Sequence, residues 1–278
     1  MNNFHRLLIA TVLLLYLSGC SVADMAYNSA PGFVAGEFKE AFDLSAAQSS
    51  QLDIQLEAFF TWHRQEELSR YREFLERAAL SAADGITANE FLRLREDVGA
   101  AWERAVGKGI DSLGDLFTNL TPEQIEQYRQ YHRESSEEYR DYLEKSVQQR
   151  EIYRVERSFE TLEDWFGKFD FMLADRISER LRQVPDLYQP WIEFREQRHQ
   201  ALVTALENGL TRQRLKTIML DPSTDFARAF EPARQAYWQA YAAALEDIGS
   251  WLDKNHRQHA VARLQRYARV VERLSEPG

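Results

Sequence analysis

From about Phe33 to Leu274 apolar side chains recur every three or four residues, and no stretch alternates apolar with polar long enough to make a convincing strand. That period predicts helices at about 46–82, 88–117, 122–166, 170–184, 190–219 and 226–274, the last open to internal breaks. The breaks between them have local causes. Asp84-Gly85 is turn chemistry, Thr121-Pro122 opens a helix, Val184-Pro185 closes one, and Asp221-Pro222-Ser223-Thr224-Asp225 makes another turn. Two helix starts carry capping boxes, in which a hydroxyl residue caps the first turn and a Glu or Gln three positions on reaches back to it. They are Ser45-Ala46-Ala47-Gln48 and Thr121-Pro122-Glu123-Gln124, preceded by Leu44 and Leu120. At the second, Leu120 is placed to pack on Ile125, and Pro122 takes the first helical position, where its missing N–H costs nothing. Thr87-Ala88-Asn89-Glu90 repeats the box without the leucine. The expected fold is all-α: an elongated antiparallel bundle of long helices in two pseudo-repeated halves, 34–167 and 168–278, with degenerate starts near Phe169 and Leu252 in the second.

The N-terminus has a different grammar. His5 and Arg6 precede an apolar run from Leu7 to Leu17, which falls short of the ~20 residues a membrane-spanning helix needs. It stops at Leu17-Ser18-Gly19-Cys20, which resembles the lipobox of bacterial prolipoproteins. That resemblance implies that residues 1–19 are a signal peptide and that Cys20 becomes the first mature residue, carrying a diacylglyceryl group and usually an N-acyl chain. Cys20 is the only cysteine, so no internal disulfide competes for it. Each buried methylene is worth about 0.8 kcal/mol, so two or three acyl chains anchor a protein without any transmembrane helix. By the lipoprotein sorting rule, Ser21 implies the outer membrane, with the chain facing the periplasm. Residues 20–33, rich in small and turn residues (Asn28-Ser29-Ala30-Pro31-Gly32), are expected to be a tether.

Composition narrows the classes. With 28% charged residues, 12 Gly and 7 Pro, the chain reads as helical rather than sheet-rich or disordered. A formal net charge of −10 argues against nucleic acid, which needs a concentrated basic face. No glycine-rich phosphate loop, G-x-S-x-G elbow or HExxH motif occurs, so no enzyme is expected and no cofactor beyond the covalent lipid. Glu196-Gln197-Arg198-His199 and His256-Arg257-Gln258-His259 have i, i+3 spacing, but neither completes a metal set, and both are expected at the helix surface.

Two aromatic features stand out. Trp62-His63-Arg64 lies between Phe59-Phe60 and Glu66-Glu67, so Glu67 stands four residues from His63; a histidine buttressing helix packing is the plain expectation. Along the predicted 122–166 helix and just beyond it, Tyr128, His132, Ser135, Tyr139, Tyr142 and Tyr153, then Phe159, Leu162, Trp165 and Phe169, largely follow three- and four-residue steps. This stripe, rich in tyrosine and poor in aliphatics, fits either interhelical contact or an exposed, half-wet binding face. Trp62, His63, Tyr128, Tyr139 and Tyr142 form the candidate interaction surface.

The two leucine-led boxes resemble the LTxxQ motif of periplasmic stress chaperones, all-helical proteins whose paired motifs stabilise a curved helical hairpin. Nearly the whole mature chain resembles an uncharacterised family of proteobacterial lipoproteins. The matching residues are Cys20-Ser21 with Tyr27-Asn28, Phe42-Asp43-Leu44 with Gln48, and Trp62-His63-Arg64 with Glu67-Leu68 and Tyr71. Further on they are Leu120 to Gln124, Trp165-Phe166-Gly167 and Arg263 to Leu274. The chain departs from that pattern at Ser69, where the family tends to have proline, and at Lys168-Phe169-Asp170-Phe171, where it tends to have another Leu-Thr-x-x-Gln start. The lipoprotein-family resemblance implies an envelope location and an all-helical fold but no activity. With long helices that present amphipathic surfaces, the expected role is a non-enzymatic, lipid-anchored envelope protein that binds unfolded or partner proteins in a chaperone-like way. The alternatives are a structural or assembly lipoprotein with one fixed envelope partner, and a metal- or ligand-binding helical bundle.

Overall fold

Local signals set most of the helix ends in the computed structural model, which describes residues 20–276. In chain order come α1 (Cys20–Phe42), α2 (Ala46–Trp62), a π-helical turn (His63–Glu67), α3 (Leu68–Asp84) and α4 (Ala88–Phe117). Then come α5 (Pro122–Ser135), α6 (Glu137–Glu144), α7 (Val147–Phe166) and α8 (Phe171–Arg182). The chain ends with α9 (Tyr188–Glu207), α10 (Arg212–Leu220), α11 (Asp225–Trp251) and α12 (Lys254–Ser275). No strand occurs among the described residues, and the protein is an all-α bundle. No described helix is long and apolar enough to cross a membrane.

Ser45, Thr87 and Thr121 all close capping boxes. A fourth box, Ser146 with Gln149, opens α7 and divides the single helix expected over 122–166. Ser136 divides it again, with φ −101° and ψ 1°. The helix expected over 190–219 is broken at Gly209, whose φ of +82° suits glycine, and Thr211 caps the next helix.

The tether expected over 20–33 is instead the first part of α1. Tyr27, Val34 and Ala41 recur at seven-residue steps and are buried, while the turn-forming Asn28, Ser29 and Gly32 fall on the exposed side. Pro31 sits inside this helix. The expected signal segment 1–19 and the side chain of Cys20 lie outside the described residues.

The cores join what the sequence separates. On α3 and α12, Leu68, Leu75, Ala78 and Ala79 meet Leu264, Tyr267, Ala268 and Val271, with Tyr27 of α1 in the same cluster. Alanines on both facing surfaces let two helices approach closely, and each buried leucine contributes roughly 1.5–3 kcal/mol. A second cluster joins Val155 and Leu162 to Ile177, Leu181, Leu245 and Ile248. A third joins Ile110 and Ile125 to Val203, Leu206 and Leu215. Gly167, with φ +87°, ends α7, but residues on both sides of it share these clusters, so it is a helix end rather than a gap between cores.

Candidate functional site

At the π-helical turn the helix takes in an extra residue, which swings the side chains around it off the α-helical faces. Glu67 is fully buried there, and Arg104 of α4 meets it with a two-point fork: Nε donates to Oε1 at 2.8 Å and Nη2 to Oε2 at 2.9 Å. Arg70 stands 3.4 Å from the same Oε1. His63 does not pair with Glu67. Its Nδ1 lies 2.9 Å from the hydroxyl of Tyr27 on α1, and Tyr71 meets its ring edge-on at 5.4 Å. Burial pushes the His63 imidazole down to about 4, against the smaller upward pull of the Glu67 charge. Burial likewise pushes the Tyr27 and Tyr71 phenols up to about 12.

Four residues that carried the family resemblance, Tyr27, His63, Glu67 and Tyr71, thus converge in one buried cluster. Arg104, its fifth member, carries no local sequence signal. The cluster offers a neutral imidazole and a compensated carboxylate, both closed to solvent. Its physical effect is to fasten α1 to the bend between α2 and α3 and to α4. Trp62 lies half-buried beside it, with the Lys108 ammonium 5.6 Å from its ring centroid.

The two leucine-led helix starts, far apart in sequence, meet at one end of α2 and α5. Gln48 Nε2 donates to Gln124 Oε1 at 3.2 Å, and Gln124 Nε2 donates to Gln48 Oε1 at 2.8 Å. Each amide oxygen also accepts from its own cap residue's backbone, Ser45 N and Thr121 N, at 3.0 Å. Gln124 Nε2 reaches the carbonyl of Asp43 as well, at 3.2 Å. Asp43 has a φ of +45°, a left-handed value uncommon outside glycine, so Gln124 helps to hold the turn that ends α1. Leu120 packs against the cluster containing Ile125, as the staple requires.

The degenerate starts near Phe169 and Leu252 make a comparable junction from other atoms. Asp170 and Asp253 cap their helices by accepting from Leu173 N and His256 N, both at 2.9 Å. His256 Nε2 lies 3.3 Å from the Lys168 carbonyl, and its ring is 5.4 Å from that of Phe169. His259 Nδ1 lies 2.9 Å from the Trp165 carbonyl.

The tyrosine stripe is interhelical rather than an open face. Tyr139 and Tyr142 are buried: Tyr139 meets Trp191 of α9 edge-on at 5.0 Å, and Tyr142 lies 4.6 Å from Tyr188. The Tyr142 hydroxyl donates to Asp186 Oδ2 at 3.2 Å. Tyr128 stacks on Phe42 at 4.7 Å. Because α5, α6 and α7 are separate helices, the stripe turns inward at each break instead of running along one exposed face. His199, expected at the surface, is buried and stacks face to face on His132 of α5, with ring centroids 3.4 Å apart.

Comparison with known proteins adds one match. Residues 40–230 fit the model of a family of unknown function, DUF6279. No curated protein and no solved structure matches the chain.

Proposed function

The chain belongs to the DUF6279 family, of unknown function, and from that membership and the geometry above we propose a lipid-anchored, non-enzymatic envelope protein that binds other proteins in a chaperone-like way. Cys20 carries the acyl anchor in this reading, and the body faces the periplasm from the outer membrane. The observation that carries the protein-binding role is the junction of the two leucine-led boxes. Reciprocal amide bonds between Gln48 and Gln124 support the resemblance to LTxxQ chaperones, in which paired motifs fix a helical hairpin.

The anchor is tested by metabolic labelling with palmitate. Label and outer-membrane fractionation are expected in the parent and absent in Cys20→Ala; labelling that survives the substitution defeats the assignment. The binding role is tested by light scattering of an aggregating model protein with the purified full-length chain in detergent. Suppression at near-stoichiometric ratios is expected. A chain that never suppresses scattering, yet captures one partner stoichiometrically from crosslinked cells, is the assembly lipoprotein instead.

A further inference from the structure

In a chain of net charge −10, one cavity of about 480 Å³ between α5, α6 and α9 gathers four guanidiniums, those of Arg129, Arg133, Arg140 and Arg195. Its walls also include Ser136 and the stacked pair His132 and His199, with a single lining carboxylate, Glu196. That volume lies in the range of small-ligand sites.

The charges do not cancel within the site. Arg129 engages Glu207 and Glu126, and Arg133 engages Glu126 at 3.2 Å. Arg140 and Arg195 have no carboxylate within 4.0 Å among the described residues. Arg140 donates to the Arg133 carbonyl at 3.0 Å. Arg195 donates to Ser136 Oγ at 2.6 Å and lies over the Tyr139 ring at 4.8 Å. This arrangement fixes the guanidinium plane without neutralising it. Glu196 reaches only to 3.9 Å from His132 Nδ1.

The histidines supply a second, independent observation. His132 Nε2 and His199 Nδ1 are buried with no hydrogen-bond partner among the described residues. Both rings form part of the cavity wall, and a ring nitrogen buried unpaired costs free energy that a small turn of the ring toward a bound group would recover. The four guanidiniums repel a divalent cation from this position, whereas planar forks and imidazole N–H groups match an oxyanion.

We propose that this cavity binds a small dianionic oxyanion of the phosphate-monoester type, with Arg140 and Arg195 as its principal charge partners and His132 and His199 as neutral donors. Ser136 positions Arg195. The site goes beyond the protein-binding role and does not depend on it.

The test is phosphorus NMR on the full-length chain in detergent, with inorganic phosphate, glycerol 3-phosphate and detergent-dispersed phosphatidic acid as separate probes. Broadening and a saturable shift are expected for at least one of them. Arg140→Gln and Arg195→Gln should each weaken that binding by about tenfold or more, the worth of a charge-assisted bond. Binding of the soluble probes identifies a free phosphate compound as the ligand; binding of phosphatidic acid alone identifies a lipid headgroup. Arg140→Gln removes only a bond to a backbone carbonyl, so it decides the matter should Arg195→Gln fail to fold. No binding of any probe, or binding unchanged in Arg140→Gln, overturns the proposal.

Discussion

Gln48 and Gln124, 76 residues apart, exchange amide hydrogen bonds while each closes the capping box of its own helix. The two helix starts therefore fold as one unit. Gln124→Ala removes a cap contact, the amide pair and the bond to Asp43, and should lower stability by about 2 kcal/mol. Gln48→Ala leaves the Asp43 bond and should cost about half as much. A double-mutant cycle from urea unfolding should give a coupling of roughly 0.5–1.5 kcal/mol. Strictly additive losses would mean that the amide pair contributes nothing.

Arg104→Met leaves the fully buried Glu67 carboxylate with Arg70 as its remaining cation, at 3.4 Å. Breaking a buried pair from one side costs about 3 kcal/mol or more, whereas replacing both partners with apolar groups of similar size recovers much of it. Arg104→Met should therefore melt well below the parent, and Glu67→Leu combined with Arg104→Met should melt above the single variant. The reverse order would contradict the pairing.

Tyr142 is buried against Tyr153 and Tyr188 and bonded to Asp186. Tyr142→Ser should cost about 3–5 kcal/mol by opening a cavity. Tyr142→Phe, which loses only the hydroxyl contact, should cost about 1 kcal/mol. Equal and small effects in circular-dichroism melts would return Tyr142 to the solvent-facing role.

Burial lowers three imidazoles: His63 to about 4, His199 to about 4 and His132 to about 3. For His132 the facing charges of His199, Arg195 and Arg140 act in the same direction; for His199, Glu196 opposes the shift, with Arg195, Arg129 and Arg133 again lowering it. The unfolded chain takes up these protons near 6.5, where the native chain does not, so the contribution is fully present above about 6.5 and lost progressively toward the folded values. Stability should fall between about pH 6.5 and 5.5, before carboxylates begin to titrate, and His132→Gln with His199→Gln should flatten that slope. A phosphate ligand in the cavity should oppose the fall, because an anion favours the charged imidazoles. Urea midpoints measured across this range check all three statements.

Helix starts were legible because their signals are local: a hydroxyl residue, a Gln three positions on, a proline or glycine alongside. The Ser146-Val147-Gln148-Gln149 box used the same signal and was readable in the sequence, although the long aromatic stripe running through it suggested a continuous helix. Ser136 breaks its helix without glycine or proline, and no local rule marks it. The seven-residue steps of Tyr27, Val34 and Ala41 were equally present, hidden among turn-forming neighbours that occupy the other face. The cavity was not legible. Glu196 and His199 have recognisable spacing, but the residues that give them meaning, His132 and Arg140, lie on other helices, and periodicity says nothing about which helices become neighbours.

The seat of α1 on His63 limits how far an anchored body can stray. Tyr27 follows Cys20 by roughly two helical turns, about 10 Å of rise, all of it within one helix. A body acylated at Cys20 therefore stands on a short rigid stalk instead of swinging on a leash. As the proposed lipoprotein it would sample only a thin layer above the lipid, and a client or ligand would have to come to the membrane to meet it.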